Sequence, residues 1–339
     1  MNIRIFPEFP FGVAYGGLEL QCIRTFHALS KKNQSVKLLD YYDNRDSFDI
    51  LHIFGNPPSM YEICFHAKKT KKIIISAVCG ANQFSYPKTF IRRILSGLAT
   101  ILKQHTDYER MRFIFQSAGH IICLNEIERN FISKTYDVAA EKLSVISNGV
   151  DKSFFAATKQ LFVNKYGVSD FVLFTGNIVK RKNPLRLAQV LAQLNQKGVF
   201  IGCALSSEID YASQFEKVIS DSPTLLWIKG LEHNDPLLAS AYAASSVFCL
   251  PSCGETQPQS ALEAMACNKP IILGDFLYAH QPPFEQALHC NPLNKDSIKK
   301  CIISALKNTT KYSSLLSEDY TWNNIAREII KIYQKASNE

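Results

Sequence analysis

Short apolar runs recur along the chain, each followed by a polar or Gly/Pro-bearing connection and then by a stretch with apolar residues at helical spacing. NIRIF, SVKLLD, DILHIF and KKIIISAV read as the first strands, and GHIIC and KLSVIS as later ones. LELQCIRTFHALSKK gathers Leu18, Cys22, Ile23, Phe26 and Leu29 on one helical face. TFIRRILSGLATILKQ does the same with Phe90, Ile91, Ile94, Leu95, Leu98, Ile101 and Leu102, and GHIIC runs into the helix of LNEIERNFISKTY. After a mobile-looking segment the alternation resumes, with FVLFTG, VFIGCAL, TLLWIKG and SSVFCLP as strands. PLRLAQVLAQLNQK, with Pro184 near its first turn, PLLASAYAA and SALEAMA read as helices. KPIILG then opens a strand, a long loop and a helix, and YTWNNIAREIIKIYQK ends the chain as a helix. Strands alternating with helices predict α/β architecture with doubly wound sheets. At 339 residues the chain exceeds what one core usually serves, so two domains are expected.

The net charge of +8 favours anionic partners: nucleotide phosphates, a lipid diphosphate or an anionic membrane face. Basic clusters fall at Lys68, Lys69, Lys71 and Lys72 and at Lys88, Arg92 and Arg93. The second cluster flanks the apolar stripe of residues 89–104, which suits either a peripheral membrane contact or ordinary packing on a sheet. No aromatic-basic recognition module points to nucleic acid. The start carries no secretory pattern, and no apolar run reaches the ~18 residues of a membrane span, so the expected location is cytoplasmic, with the inner membrane face as the site of any peripheral contact. The ten cysteines are scattered through apolar segments, without CxxC or a histidine at zinc spacing, and read as buried thiols.

The candidate chemistry centres on PSCGETQPQSALEAMACNKP, Pro251 to Pro270. Glu255 lies in a turn after a strand, and Glu263 lies within the following helix. In a parallel sheet such a turn opens into the ligand crevice, and the helix start aims N–H groups and a positive dipole end at an anion. Two carboxylates there could accept from hydroxyls, so the unit suits a ligand with both phosphate and hydroxyls; two ordinary surface glutamates are the alternative. Gly16 and Gly17 would let backbone approach a diphosphate, or make a tight turn and nothing more. Gly176, followed by Arg181 and Lys182 before a helix start, makes a second diphosphate-facing loop or a solvated basic one. In SNGVD, Asn148 and Gly149 are expected to supply a left-handed turn near a domain boundary at Asp151.

Five segments in this order, the GG loop, NGVD, GNIVKRKN, ETQPQSALEAMA and the terminal Trp-containing helix, resemble the retaining, nucleotide-sugar-dependent glycosyltransferases of family 4, with the GT-B fold. The resemblance spans nearly the whole chain. It implies two Rossmann-like domains facing across a cleft: residues 1–151 for the acceptor, 152–320 for the nucleotide-sugar donor, and a helix, 321–339, crossing back to the first domain. It implies transfer of a sugar from a UDP- or GDP-linked donor to a saccharide or lipid-linked acceptor in cell-surface polysaccharide or lipopolysaccharide synthesis. Glu255 would contact hydroxyls of the transferred sugar and Glu263 the ribose. Lys182 would hold the diphosphate, aided by the backbone of Gly16, Gly17, Gly176 and the Gln257, Pro258, Gln259, Ser260 segment. No metal is implied, because cations and helix ends take the leaving charge. Three positions depart from the family pattern. Asn177 stands where arginine is usual, with Arg181 as a candidate substitute. Cys79, followed by Gly80, stands where a sugar-contacting histidine is usual. Pro258 stands where glycine is common and removes an N–H from the turn. A non-catalytic homologue acting as a partner-binding subunit is the alternative these departures leave open. An NAD-dependent dehydrogenase lacks its GxGxxG, and an exported sugar-binding protein lacks its signal.

Overall fold

The computed structural model describes residues 1–8, 11, 16–32, 35–40, 42–43, 45–55, 58–79, 106–308 and 316–338. The chain divides into two compact units, Met1–Gly149 with Asp319–Glu339, and Val150–Glu318. Gly80 and the stripe of residues 89–104 with its flanking Lys88, Arg92 and Arg93 lie outside the described residues. Among those described, no helix is long and apolar enough to cross a membrane.

The first unit is a six-stranded parallel sheet: β1 Asn2–Pro7, β2 Ser35–Leu38, β3 Ile50–Phe54, β4 Lys72–Ser76, β5 His120–Cys123 and β6 Leu143–Val145, in the order β2-β1-β3-β4-β5-β6. Its inner strands are apolar runs because both faces are covered, while edge strand β2 buries only Val36. Ile3, Ile5, Ile50, Phe54, Ile74 and Ile122 face helix α1 (Gly17–Ser30) and the last helix of the chain. Phe6, Leu51, Ile53, Ile73, Ile75, Ile121 and Cys123 fill the other face with α2 (Tyr61–Ala67), α3 (Asp107–Ser117) and α4 (Glu126–Tyr136). Residue parity along each strand decides the face.

The second unit repeats the plan: β7 Val172–Thr175, β8 Gly198–Ile201, β9 Leu225–Ile228, β10 Val247–Leu250, β11 Ile271–Gly274 and β12 Leu288–Cys290, parallel throughout, in the order β12-β11-β10-β7-β8-β9. Its helices are α5 Lys152–Phe155, α6 Gln160–Tyr166, α7 Pro184–Gln193, α8 Ile209–Ser220, α9 Pro236–Ala244, α10 Gln259–Ala266 and α11 Lys295–Lys307. The mobile-looking segment is in fact helical over α5 and α6, held by Phe154 and Phe162, both buried, and by a hydrogen bond from the Phe162 N–H to Ser240 Oγ. The last helix, α12 (Trp322–Asn338), belongs to the first unit and packs on α1 through Ile325, Ile329 and Tyr333.

The Asn148–Gly149 pair adopts no left-handed turn; positive φ occurs elsewhere. Gly149 is needed for a different reason. A Cβ there would lie 2.5 Å from the Trp322 ring and 2.9 Å from its Cα, so only glycine lets the final helix start this close. Six of the ten cysteines are buried and behave as small hydrophobes, but Cys203 is exposed, because its strand has already ended at Ile201.

One buried polar contact fastens α12 to the sheet. His52, in the middle of β3, has Nδ1 2.6 Å from the Tyr333 hydroxyl and Nε2 2.9 Å from Ser76 Oγ. Burial drops the imidazole to about 3, so it is neutral in the folded chain. The unfolded chain binds the proton more readily between that value and the ordinary histidine value, so the His52 contribution is complete above pH ~6.5 and is lost as pH falls below it. Denaturant titrations across this window should show native stability declining on acidification, and His52→Gln should flatten the decline by up to about 1.4 kcal/mol per pH unit. Equal slopes for the two chains would remove His52 as the cause. Gly149→Ala should lower the melting temperature, with a cost of about 1 to 3 kcal/mol from overpacking against Trp322.

Candidate functional site

In the second sheet, β7 has β8 and β9 on one side and β10 and β11 on the other, so the chain reverses its direction of travel between β7 and β10. Loops leaving two such strands diverge above and below the sheet and open a crevice beyond their carboxyl ends. The two strands are in register through Val247 with Val172 and Phe248 with Leu173, which sets the Gly176–Asn183 loop beside the Pro251–Pro258 loop.

The first loop is shaped by backbone. Gly176 has φ 137°, and a Cβ on it would press on Lys182 at 3.1 Å, so the lysine side chain lies directly over this glycine. Gly202, with φ 155°, sits beneath; a Cβ there would meet the Gly176 carbonyl at 2.0 Å. Asn183 takes a left-handed turn at φ 60° and starts α7, with Pro184 in the first turn. Its amide donates to the Pro292 carbonyl at 2.6 Å, as does Arg186 at 2.6 Å.

The second loop is tied to the first. The Cys253 N–H donates to the Arg181 carbonyl at 2.8 Å, and the Arg181 guanidinium donates to the Gly254 carbonyl. Ser252, fully buried, donates to Glu255 Oε1 at 3.0 Å. That oxygen also receives Arg181 Nη1 at 2.8 Å and Lys182 Nζ at 3.4 Å. Glu255, Arg181 and Lys182 therefore form one charge cluster. Burial pushes the Glu255 carboxyl up, but Lys182 and Arg181, with the bonds from Arg181 and Ser252, outweigh it and hold the group below the ordinary carboxylate value. Glu255 is thus an ionised, acceptor-only group beside two cations.

Helix α10 begins directly after this turn. Pro258 is its N-cap and gives the first turn no side-chain hydrogen bond. The missing proline N–H therefore falls outside the helix, and the first-turn amides at Gln259 and Ser260 are retained. Glu263, one turn further in, is nearly inaccessible; its Oε2 accepts from the Tyr242 hydroxyl at 2.7 Å and its Oε1 lies 3.0 Å from His233 Nε2. The Tyr242 hydroxyl is also 2.5 Å from Thr175 Oγ1, at the end of β7. Burial and the Glu263 carboxylate push the Tyr242 phenol well above its ordinary value, so it stays protonated and donates to Glu263.

A third loop, after β11, braces the second. The Gln281 amide donates to the Thr256 and Tyr278 carbonyls, both at 2.7 Å, and Tyr278 donates to the Ser252 carbonyl at 3.2 Å. Gln257 Nε2 lies 3.4 Å from Gln281 Oε1.

The structure thus brings together Gly176, Asn177, Arg181, Lys182, Glu255 and the Gln257–Ser260 segment, with Glu263 behind them. Gly16 and Gly17 belong to the first unit, as N-cap and first residue of α1. Cys79 has no exposed surface: it packs in the core of the first unit, and its N–H donates to Glu128 Oε1 at 2.5 Å. A sugar contact through its thiol is not supported by this placement, since the side chain is core. Gly80 lies outside the described residues. Sequence reasoning missed Tyr242, His233 and Thr175, whose only signal is proximity created by the sheet order. It also missed Glu128, a carboxyl that burial raises to about 7 although the Cys79 and Leu124 amides donate to it.

Residues 159–326 match the family model of glycosyl transferases group 1. The O-antigen chain mannosyltransferase of Salmonella typhimurium is 24% identical over 241 residues, covering 69% of this chain and 60% of that protein. The matched region spans about half the length of the curated relatives as a group. Among solved structures, sucrose-phosphate synthase from Thermosynechococcus elongatus superposes with a TM-score of 0.75 at 15% identity, covering 99% of each chain. An Anabaena protein, HepE, solved with UDP and glucose, gives 0.69 at 16% identity, covering 99% of this chain and 100% of that one. The paired parallel sheets are the GT-B architecture, and residues 159–326 belong to the glycosyl transferases of group 1.

Proposed function

We propose that the chain is a retaining glycosyltransferase that moves a sugar from a nucleoside diphosphate sugar to a saccharide or lipid-linked acceptor in the synthesis of a cell-surface polysaccharide or lipopolysaccharide. The single observation that carries this reading is the Glu255, Arg181 and Lys182 cluster at the point where the second sheet reverses. A carboxylate that stays ionised accepts from sugar hydroxyls, while cations beside it donate to diphosphate oxygens. Arg181 supplies the charge that Asn177 lacks, because it converges on the same carboxylate as Lys182. The start of α10 adds a positive dipole end for the diphosphate. Glu263, held by Tyr242 and His233, is assigned the ribose.

In the proposed reaction the bond between the anomeric carbon and the phosphate oxygen breaks, and its electron pair leaves with the nucleoside diphosphate. Lys182, Arg181 and the helix start take up the developing negative charge. The acceptor hydroxyl bonds to the anomeric carbon on the same face and passes its proton to the departing phosphate oxygen. Glu255 fixes the sugar's hydroxyls, and no metal takes part in the step. UDP as the nucleotide is supported by the Anabaena structure, which was solved with UDP, and the polysaccharide context by the O-antigen chain mannosyltransferase.

UDP or GDP at about a hundredfold above its Kd should stabilise the chain by about 2.7 kcal/mol, read as a rise in melting temperature. No rise with either would favour a non-catalytic partner subunit. Release of nucleoside diphosphate from a panel of UDP- and GDP-sugars should fall far more in Glu255→Gln than nucleotide affinity does; unchanged turnover would refute its role. Lys182→Ala should instead weaken nucleoside diphosphate binding by roughly ten- to a hundredfold, a loss of about 1.5 to 3 kcal/mol. Tyr242→Phe should cost about 1 to 3 kcal/mol of stability by stranding Thr175 Oγ1 and one Glu263 oxygen. It should also raise the Kd for UDP by a larger factor than the Kd for the diphosphate alone, and parallel changes in both would separate Glu263 from the ribose.

A further inference from the structure

The loop after β11 carries chemistry that the transfer reaction leaves unused. Asp275 is the first residue past β11, His280 closes the short turn Leu277–His280, and His289 is the middle residue of β12. Parallel pairing sets His289 opposite Leu273, beside the strand end from which the loop departs, and the loop folds His280 back over it. His280 Nε2 lies 2.7 Å from Asp275 Oδ1, and the two imidazole centroids are 4.2 Å apart with their planes at 60°. One ligand-capable atom from each of the three residues lies within 4.8 Å of the other two.

The orientation of His289 is informative. Its Nε2 faces the Ala279 carbonyl at 3.1 Å. A carbonyl only accepts, so Nε2 is a protonated nitrogen and Nδ1 is the one that can ligate. Backbone carbonyls orient metal-binding histidines in this way. A plain surface ion pair would account for Asp275 and His280 but not for a second imidazole packed beside them. Asp275 and His280 are exposed, so an ion can enter from solvent.

We propose that Asp275, His280 and His289 form a binding site for a divalent transition metal ion of the zinc class. Two imidazoles and a carboxylate suit zinc, cobalt or nickel rather than the all-oxygen preference of magnesium or calcium, and three protein ligands leave a position for water. The ion takes no part in sugar transfer. It ties down the loop whose next residue, Gln281, donates to the Thr256 carbonyl, and so stiffens the turn that carries Glu255.

The test uses the full chain, stripped with a chelator and titrated with cobalt(II). The expected result is visible absorption saturating at one ion per chain, no thiolate charge-transfer band, and displacement by zinc. His280→Ala and His289→Ala should each weaken binding by about tenfold or more, while melting like the unaltered chain in chelator. An unsaturable titration, a thiolate band, or unchanged affinity in both variants would overturn the site. Should either variant fail to fold, the unaltered chain decides: zinc should slow diethyl pyrocarbonate modification of His280 and His289 but not of exposed His66, and equal rates with and without zinc would overturn the proposal.

Discussion

The pairing of β10 with β7 is the contact on which the second unit's chemistry depends. Val247 opposite Val172 and Phe248 opposite Leu173 are ordinary buried apolar pairs, yet they put two loops separated by about seventy residues of sequence side by side. Arg181 and Lys182 come from one loop, Glu255 from the other, and their ion pairs depend on that register. A one-residue slip of β10 would turn Phe248 and Leu250 to the opposite face and carry the Glu255 turn away from the cations, so packing and charge placement are fixed together.

The conformation of the loops follows from a few backbone positions rather than from side-chain choice. Gly176 and Gly202 stack so tightly that a side chain on Gly202 would collide with the Gly176 carbonyl, and Lys182 lies over the result. The first unit shows the same economy at Gly149, where absence of a Cβ lets Trp322 start the closing helix. In both places glycine acts through close approach of neighbouring groups, and at Gly149 positive φ plays no part.

Much of the fold was legible because fully buried parallel strands are apolar throughout, as in KKIIISAV and SSVFCLP, and their helices keep one apolar stripe. What escaped notice was short or locally polar. β12 is three residues, LHC, at the sheet edge, too brief for any periodicity to emerge. Helix α3, DYERMRFIFQS, announces itself chiefly through a capping box between Thr106 and Glu109. At the site, Glu255, Arg181 and Lys182 could be singled out because turns flanked by glycine and proline precede helix starts. Tyr242 and His233 could not, since nothing in PLLASAYAA or EHNDP indicates that each will meet Glu263. The left-handed turn expected of Asn148 and Gly149 misjudged which property of glycine the fold uses.

Glu255, between Arg181 and Lys182, acts as a resident counter-ion. On the proposed reading an arriving diphosphate shares those cations with an occupant already in place, which tempers its grip, and a departing one is succeeded by the same side chain. That arrangement would favour brisk exchange of product for fresh donor over tight retention of either.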